Sequence, residues 1–124
     1  MRPRPLKDRV GVAGEAAALE HLRDAGMSVI ARDWRCRLGQ IDVVALDGDT
    51  VVVVEVKARR GVAFGLPQEA VDARKQRKLR LLAGAYLAAT GRRGGAVRID
   101  VVALLLDSHL RVVRCEHIQS AVGG

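Results

Sequence analysis

Aromatic side chains are nearly missing from this chain of 124 residues: Trp34, Phe64 and Tyr86 are the whole set. A core must therefore be built from Val, Leu, Ile and Ala, and single-strand binding by stacking bases on an aromatic platform is disfavoured. Cysteine is as sparse, with Cys36 and Cys115 far apart, which fits free thiols in a reducing cytosol and no disulfide framework. Cys115 and His117 bracket Glu116, yet no second ligand pair stands at zinc-finger spacing, so a small thiol beside an ordinary histidine is expected. No apolar run approaches the roughly 18 residues that cross a bilayer. The opening Met1-Arg2-Pro3-Arg4-Pro5 has no apolar stretch behind it, unlike a secretory signal, so a cytoplasmic protein is expected.

Acidic residues are in deficit. Lys plus Arg number 21 against 14 Asp plus Glu, a formal charge of +7 that favours polyanions, nucleic acid ahead of a membrane surface. The length suits one domain, expected over residues 8–119, with a flexible basic arm at 1–7 and a flexible tail at 120–124.

Periodicity predicts a helix from about residue 8 to Gly26, with an apolar stripe through Val12, Ala16, Leu19 and Leu22. Glu15 falls on that stripe, an unusual place for a carboxylate. A first strand is read over 28–37, alternating imperfectly through Val29, Ala31, Trp34 and Cys36. Residues 59–66 read as a loop without the glycine and lysine spacing of a phosphate-binding loop. Pro67 fits the first position of a second helix, with Gln68 and Glu69 in its opening turn, running to Thr90 before Gly91. Its stripe passes through Val71, Leu79, Leu82, Tyr86 and Ala89. Lys75 shares that stripe, while Arg74, Arg77, Lys78 and Arg80 point elsewhere. Two strands, 96–106 and 110–118, complete the order α-β-β-β-α-β-β, a mixed α/β class around one sheet.

The densest information lies in residues 39–58, where two β-branched runs flank Asp47-Gly48-Asp49, as in a two-residue hairpin. With Gly48 and Asp49 as the central pair, Leu46 opposes Val51, Val44 opposes Val53, Asp42 opposes Glu55 and Gln40 opposes Lys57. Period two puts these side chains on one face. The third strand, 51–56, is β-branched on both faces, as a central strand requires. Two opposed carboxylates repel unless a cation or proton lies between them. A Mg²⁺ or Mn²⁺ ion takes one or two carboxylates and keeps several waters, so Asp42 and Glu55 suffice as its protein ligands. Lys57 then stands beside the metal to act on water or phosphate, and Glu15 can support the shell.

These residues resemble a known pattern. Asp42 followed by Glu55-Val56-Lys57 is similar to the metal-binding core of the PD-(D/E)XK nuclease superfamily. Over nearly the whole chain the sequence resembles the YraN family, through Gly14-Glu15, Gly39-Gln40-Ile41-Asp42, Val54-Glu55-Val56-Lys57, Phe64-Gly65, Lys75 and Arg98-Ile99-Asp100. The resemblance implies a restriction-endonuclease-like fold, akin to archaeal Holliday-junction resolvases. It also implies that Glu15, Asp42, Glu55 and Lys57 serve the metal. Gln40 departs from the family's usual Gly-Glu-Ile-Asp and removes one negative charge.

The expected function is therefore Mg²⁺- or Mn²⁺-dependent hydrolysis of phosphodiester bonds, in DNA rather than RNA and in branched or otherwise unusual DNA. Arg59, Arg60, Lys75 and Lys78 are the expected nucleic-acid contacts. The rival is an accessory module that binds nucleic acid on the same fold without cleaving it. No membrane partner is expected, and a homodimer stays open.

Overall fold

In a computed structural model the described residues are 5–61, 72–92 and 95–121. The elements are α1 (Leu6–Asp24), β1 (Ser28–Cys36), β2 (Gly39–Asp47), β3 (Thr50–Arg60), α2 (Ala73–Thr90), β4 (Val97–Leu106) and β5 (Val112–Ile118). The order is the one read from the sequence. One sheet holds the strands in the order β1-β2-β3-β4-β5, antiparallel except for the β3–β4 pair. A parallel pair needs a crossover, and α2 is that crossover.

Four consecutive valines, Val51 to Val54, are buried at the centre of the sheet because both of its faces are covered. On one face Val43, Ala45, Val52, Val54, Val102 and Leu104 meet Ala18, Leu19 and Leu22 of α1. On the other, Ile41, Val44, Val51, Val53, Ile99 and Val101 meet Leu79, Leu82, Ala83 and Tyr86 of α2. Each fully buried Val or Leu is worth roughly 1.5–3 kcal/mol of transfer free energy, so an aromatic-poor core remains adequate. Trp34 and Tyr86 stack edge to face, with ring centroids 5.3 Å apart.

The hairpin has the expected register, with Asp47 opposite Thr50, Leu46 opposite Val51, Val44 opposite Val53 and Val43 opposite Val54. Gly48 has φ +60, the sign of a first central turn glycine. The third strand is longer than 51–56 and carries Arg59 and Arg60, both read as loop. It is extended because β4 pairs with it from Val51–Val97 through Arg60–Leu106.

Both helices differ in detail from their readings. α1 begins at Leu6, inside the span read as an arm, and ends in a Schellman motif. There Met27 N donates to Leu22 O, Gly26 N donates to Arg23 O, and Gly26 has φ +88. Its buried stripe is Gly14, Ala18, Leu19 and Leu22, so the stripe through Val12 and Ala16 was rotated: Val12 is half exposed and Ala16 is exposed. Gly14 sets this rotation, because it lets the helix backbone settle against Ala58 of β3.

α2 begins at Ala73, not Pro67. The Asp72 side chain caps it by accepting from Lys75 N at 2.8 Å, while Asp72 itself is extended. Pro67, Gln68, Glu69 and Val71 lie outside the described residues, as do Phe64 and Gly65. Leu79, Leu82 and Tyr86 of the expected stripe are buried, whereas Ala89 is exposed. Among the described residues no helix is long and apolar enough to cross a membrane. Cys36 and Cys115 are free thiols.

Candidate active site

The β1–β2 ladder changes face at one rung. Arg32 pairs with Val43 and Trp34 with Ile41, which leaves Asp33 and Asp42 as the single intervening residues. Arg32 turns toward α1, where its Nε lies 3.6 Å from Glu15 Oε1, whereas Trp34 and Ile41 pack on the α2 side. Asp33 accommodates the break with φ +48, a left-handed conformation that aspartate tolerates better than most residues. The β2–β3 pairing runs from the turn to Val43–Val54. Just beyond it Asp42 Oδ2 accepts the N–H of Val56 at 2.9 Å, so a side chain satisfies a donor on the neighbouring strand.

Asp42 thus sits between the two layers. An open cleft of about 930 Å³ runs from the first turns of α1 across the sheet, lined by Glu15, Asp33, Gln40, Asp42, Lys57, Arg59 and Arg60. Of the residues singled out from sequence, the structure brings Glu15, Asp42, Lys57, Arg59 and Arg60 into this cleft. Glu55 is buried next to it and faces α2, where Lys75 Nζ lies 3.2 Å from Glu55 Oε1. Lys78, exposed one helical turn further on, has its Cε 2.9 Å from where a Cβ on Gly39 would stand. Arg59 and Arg60 are exposed at the end of β3, and Arg59 Nη1 donates to Ala58 O.

The electrostatics follow from burial. Desolvation pushes the Glu55 carboxyl up, and the charge of Asp42 pushes it further, against Lys75 and Lys57. Asp42 is also raised by burial; the Val56 N–H, Lys75 and Lys57 pull it down, and Asp33 pushes it up. Glu15 is raised by burial and by Asp33 and Asp42, while Arg32 opposes both. Three carboxyls at this end of the sheet therefore disfavour their charged forms, and both Glu55 and Glu15 are pushed up by Asp42.

Two features were not read from the sequence. Asp33 joins the acidic group; its only signal was the lapse in alternation between Ala31 and Trp34. Gln40 does not face Lys57 as expected. It lies past the end of the β2–β3 pairing, and its Nε2 donates to Asp33 Oδ1 at 3.0 Å. A glutamate could not make that bond, so the amide at position 40 and the carboxylate at position 33 are matched.

A hard divalent cation can be tested against these groups. Among the described residues no three His, Cys, Asp or Glu side chains stand ready around one point. Two carboxylates with waters are nevertheless a sufficient protein ligand set for Mg²⁺ or Mn²⁺. The donors are oxygens deprived of solvent. Glu15 Oε1 is buried with no hydrogen-bond partner, Arg32 being too distant for one. In donor chemistry and in unmet charge, the residues fit such an ion.

Comparison with known proteins adds a family. The family model described as "Uncharacterised protein family UPF0102" matches residues 14–104, from the Gly14-Glu15 pair into β4. A UPF0102 protein of Pelotomaculum thermopropionicum is 46% identical over 112 residues, 90% of this chain and 93% of its own. That of Moorella thermoacetica is 47% identical, covering 91% and 94%. A third, from Kineococcus radiotolerans, is 54% identical over 99 residues, covering 79% and 81%.

Proposed function

This chain belongs to the UPF0102 family, called YraN above, and for it we propose metal-dependent hydrolysis of phosphodiester bonds in DNA, with branched or otherwise unusual DNA as substrate. One observation carries the reading. Asp42 and Glu55, on neighbouring strands beyond the last β2–β3 pair, are both desolvated, and Asp42 pushes the Glu55 carboxyl up further, while Lys75 and Lys57 oppose the rise in both. A fold gains no stability from such an arrangement, because buried charges cost more than their pairing returns unless every partner is in place.

Asp42 and Glu55 are the proposed ligands of Mg²⁺ or Mn²⁺, and Glu15 supports the shell from α1. When bound, such an ion supplies Lewis-acid polarisation of a phosphate and acidifies its water. Lys57 lines the cleft and is placed to orient the attacking water and to counter charge that develops on the phosphate oxygens. Hydrolysis joins the water oxygen to phosphorus and breaks the bond from phosphorus to the leaving sugar oxygen. Arg59 and Arg60 extend the positive rim along which a phosphate backbone would track. DNA ahead of RNA rests on the resemblance to PD-(D/E)XK nucleases alone.

The test is a panel of branched, flapped and linear DNA and RNA incubated with Mn²⁺. Wild type should cleave at least one DNA form, and Glu55→Gln should lose activity by on the order of a hundredfold or more. Salt-sensitive binding without cleavage in any divalent ion would instead identify a non-catalytic nucleic-acid-binding module on the same fold.

A further inference from the structure

We infer that Lys75 is a resident counter-ion for Glu55, holding the place of the divalent cation until the cation displaces it and frees its ammonium for substrate phosphate. The inference rests on the metal reading above and adds a regulatory role to a residue of the α2 helix. Lys75 is anchored at its backbone and partly exposed along its side chain. Its backbone N–H is tied to the Asp72 cap at 2.8 Å, in the first turn of α2. Its ammonium reaches across to a carboxylate that is only 10% exposed, yet the lysine side chain itself remains 37% exposed. A four-carbon stem with its root fixed and its head in partial contact with water can swing without disturbing the helix.

Charge requires the exchange. The Lys75 ammonium lies 3.2 Å from Glu55 Oε1, so one positive charge already stands at a carboxylate that the metal would use. A divalent cation on the same carboxylate repels the ammonium, so each lowers the other's occupancy there. Metal and Lys75 therefore compete for Glu55. A phosphodiester arriving at the positive rim offers the displaced ammonium a new partner, so metal and substrate should each strengthen the binding of the other. Were Glu55 not a metal ligand, its ion pair with Lys75 would show no such competition.

Calorimetric titration of Mn²⁺ alone into the full chain at pH 8 decides the matter, with wild type, Lys75→Met, Lys75→Gln, Lys75→Arg and Asp42→Asn compared. Either neutral variant that keeps its circular dichroism spectrum suffices. It should bind Mn²⁺ about fivefold more tightly than wild type, equivalent to about 1 kcal/mol, while Lys75→Arg follows wild type. Unchanged or weaker binding by the neutral variants, with Asp42→Asn silent, would overturn the counter-ion role and leave the metal site standing. Equal binding by wild type and Asp42→Asn, or none by wild type, would overturn the metal reading and this inference with it.

Discussion

Gly14 shows how one missing side chain decides where a carboxylate points. A Cβ built on it would lie 2.3 Å from Ala58 Cβ, an atom fixed to the β3 backbone and unable to rotate away. Close approach at position 14 presses α1 onto β3, and Glu15, the next residue, is thereby held at the rim of the cleft. Gly14→Ala brings two opposed effects. Alanine favours a helix by roughly 1 kcal/mol over glycine, whereas overpacking costs roughly 1–3 kcal/mol. Because the obstacle is backbone-anchored, overpacking should win. Urea unfolding should show a loss of about 1–2 kcal/mol, and a stability equal to or above wild type would refute the close packing. Asp33 makes the complementary point. Its position in a strand read as alternating hid it, because a side chain at a ladder break obeys neither face of the pleat.

Elements are fastened by polar contacts that no period reveals. At its C-terminal end α1 is tied to the sheet through His21, whose Nε2 lies 3.0 Å from His117 Nδ1. The other nitrogen of His117 faces the fully buried Asp100 at 2.8 Å. Asp100 also accepts from Arg98 Nε and Ser120 N, and Arg98 reaches Asp47 on β2. With His117 Nε2–H donating to Asp100 Oδ2, His117 Nδ1 accepts from His21 Nε2–H, and a second proton between the rings would set two N–H groups head to head. Burial, then His117, holds His21 below the ordinary imidazole range, with Asp24 opposing. A depressed folded-state pKa means that the stability of this tie is complete above about pH 6.5 and is lost as pH falls below it. Thermal melts between pH 7.5 and 5 should therefore show a decline on the acid side that is shallower in His21→Gln. Parallel curves for the two proteins would rule the tie out.

At the scale of the molecule, what could be read from sequence was what short-range periods dictate. The turn at Gly48-Asp49 fixes the β2–β3 register as far as Val43–Val54; beyond it the face changes at Asp42, so period two does not put Asp42 on the face that Glu55 turns to α2. The order of elements follows from the alternation of strand and helix patterns. The phase of α1 was misread because residues 10–19 are mostly small or apolar, so several stripes fit almost equally and only the contact at Gly14 selects one. Pro67 is a good first helical residue by sequence, yet Asp72 supplies the side-chain acceptor that caps α2 and starts it at Ala73. Partners across layers are beyond such periods: Lys75 with Glu55 and His21 with His117 depend on how helices settle on the sheet, while Gln40 with Asp33 depends on where the β1–β2 pairing is interrupted.

At the end of the sheet where its acids collect, the β2–β3 pairing stops at Val43–Val54 and Asp42 and Glu55 lie just beyond it, and that geometry is the basis for expecting a divalent ion. Thermal unfolding of wild type and Asp42→Asn, each with and without Mn²⁺, addresses it directly. The raised pKa of Asp42 means that its charge costs stability, increasingly so as pH rises through that raised value. An amide oxygen can still accept the Val56 N–H, so without metal at neutral pH Asp42→Asn should melt above wild type. Mn²⁺ at about a hundredfold over its Kd should stabilise wild type by about 2.7 kcal/mol, on the order of 10 °C for a chain of this size, and leave Asp42→Asn unmoved. Equal Mn²⁺ shifts in the two proteins would show that Asp42 holds no metal.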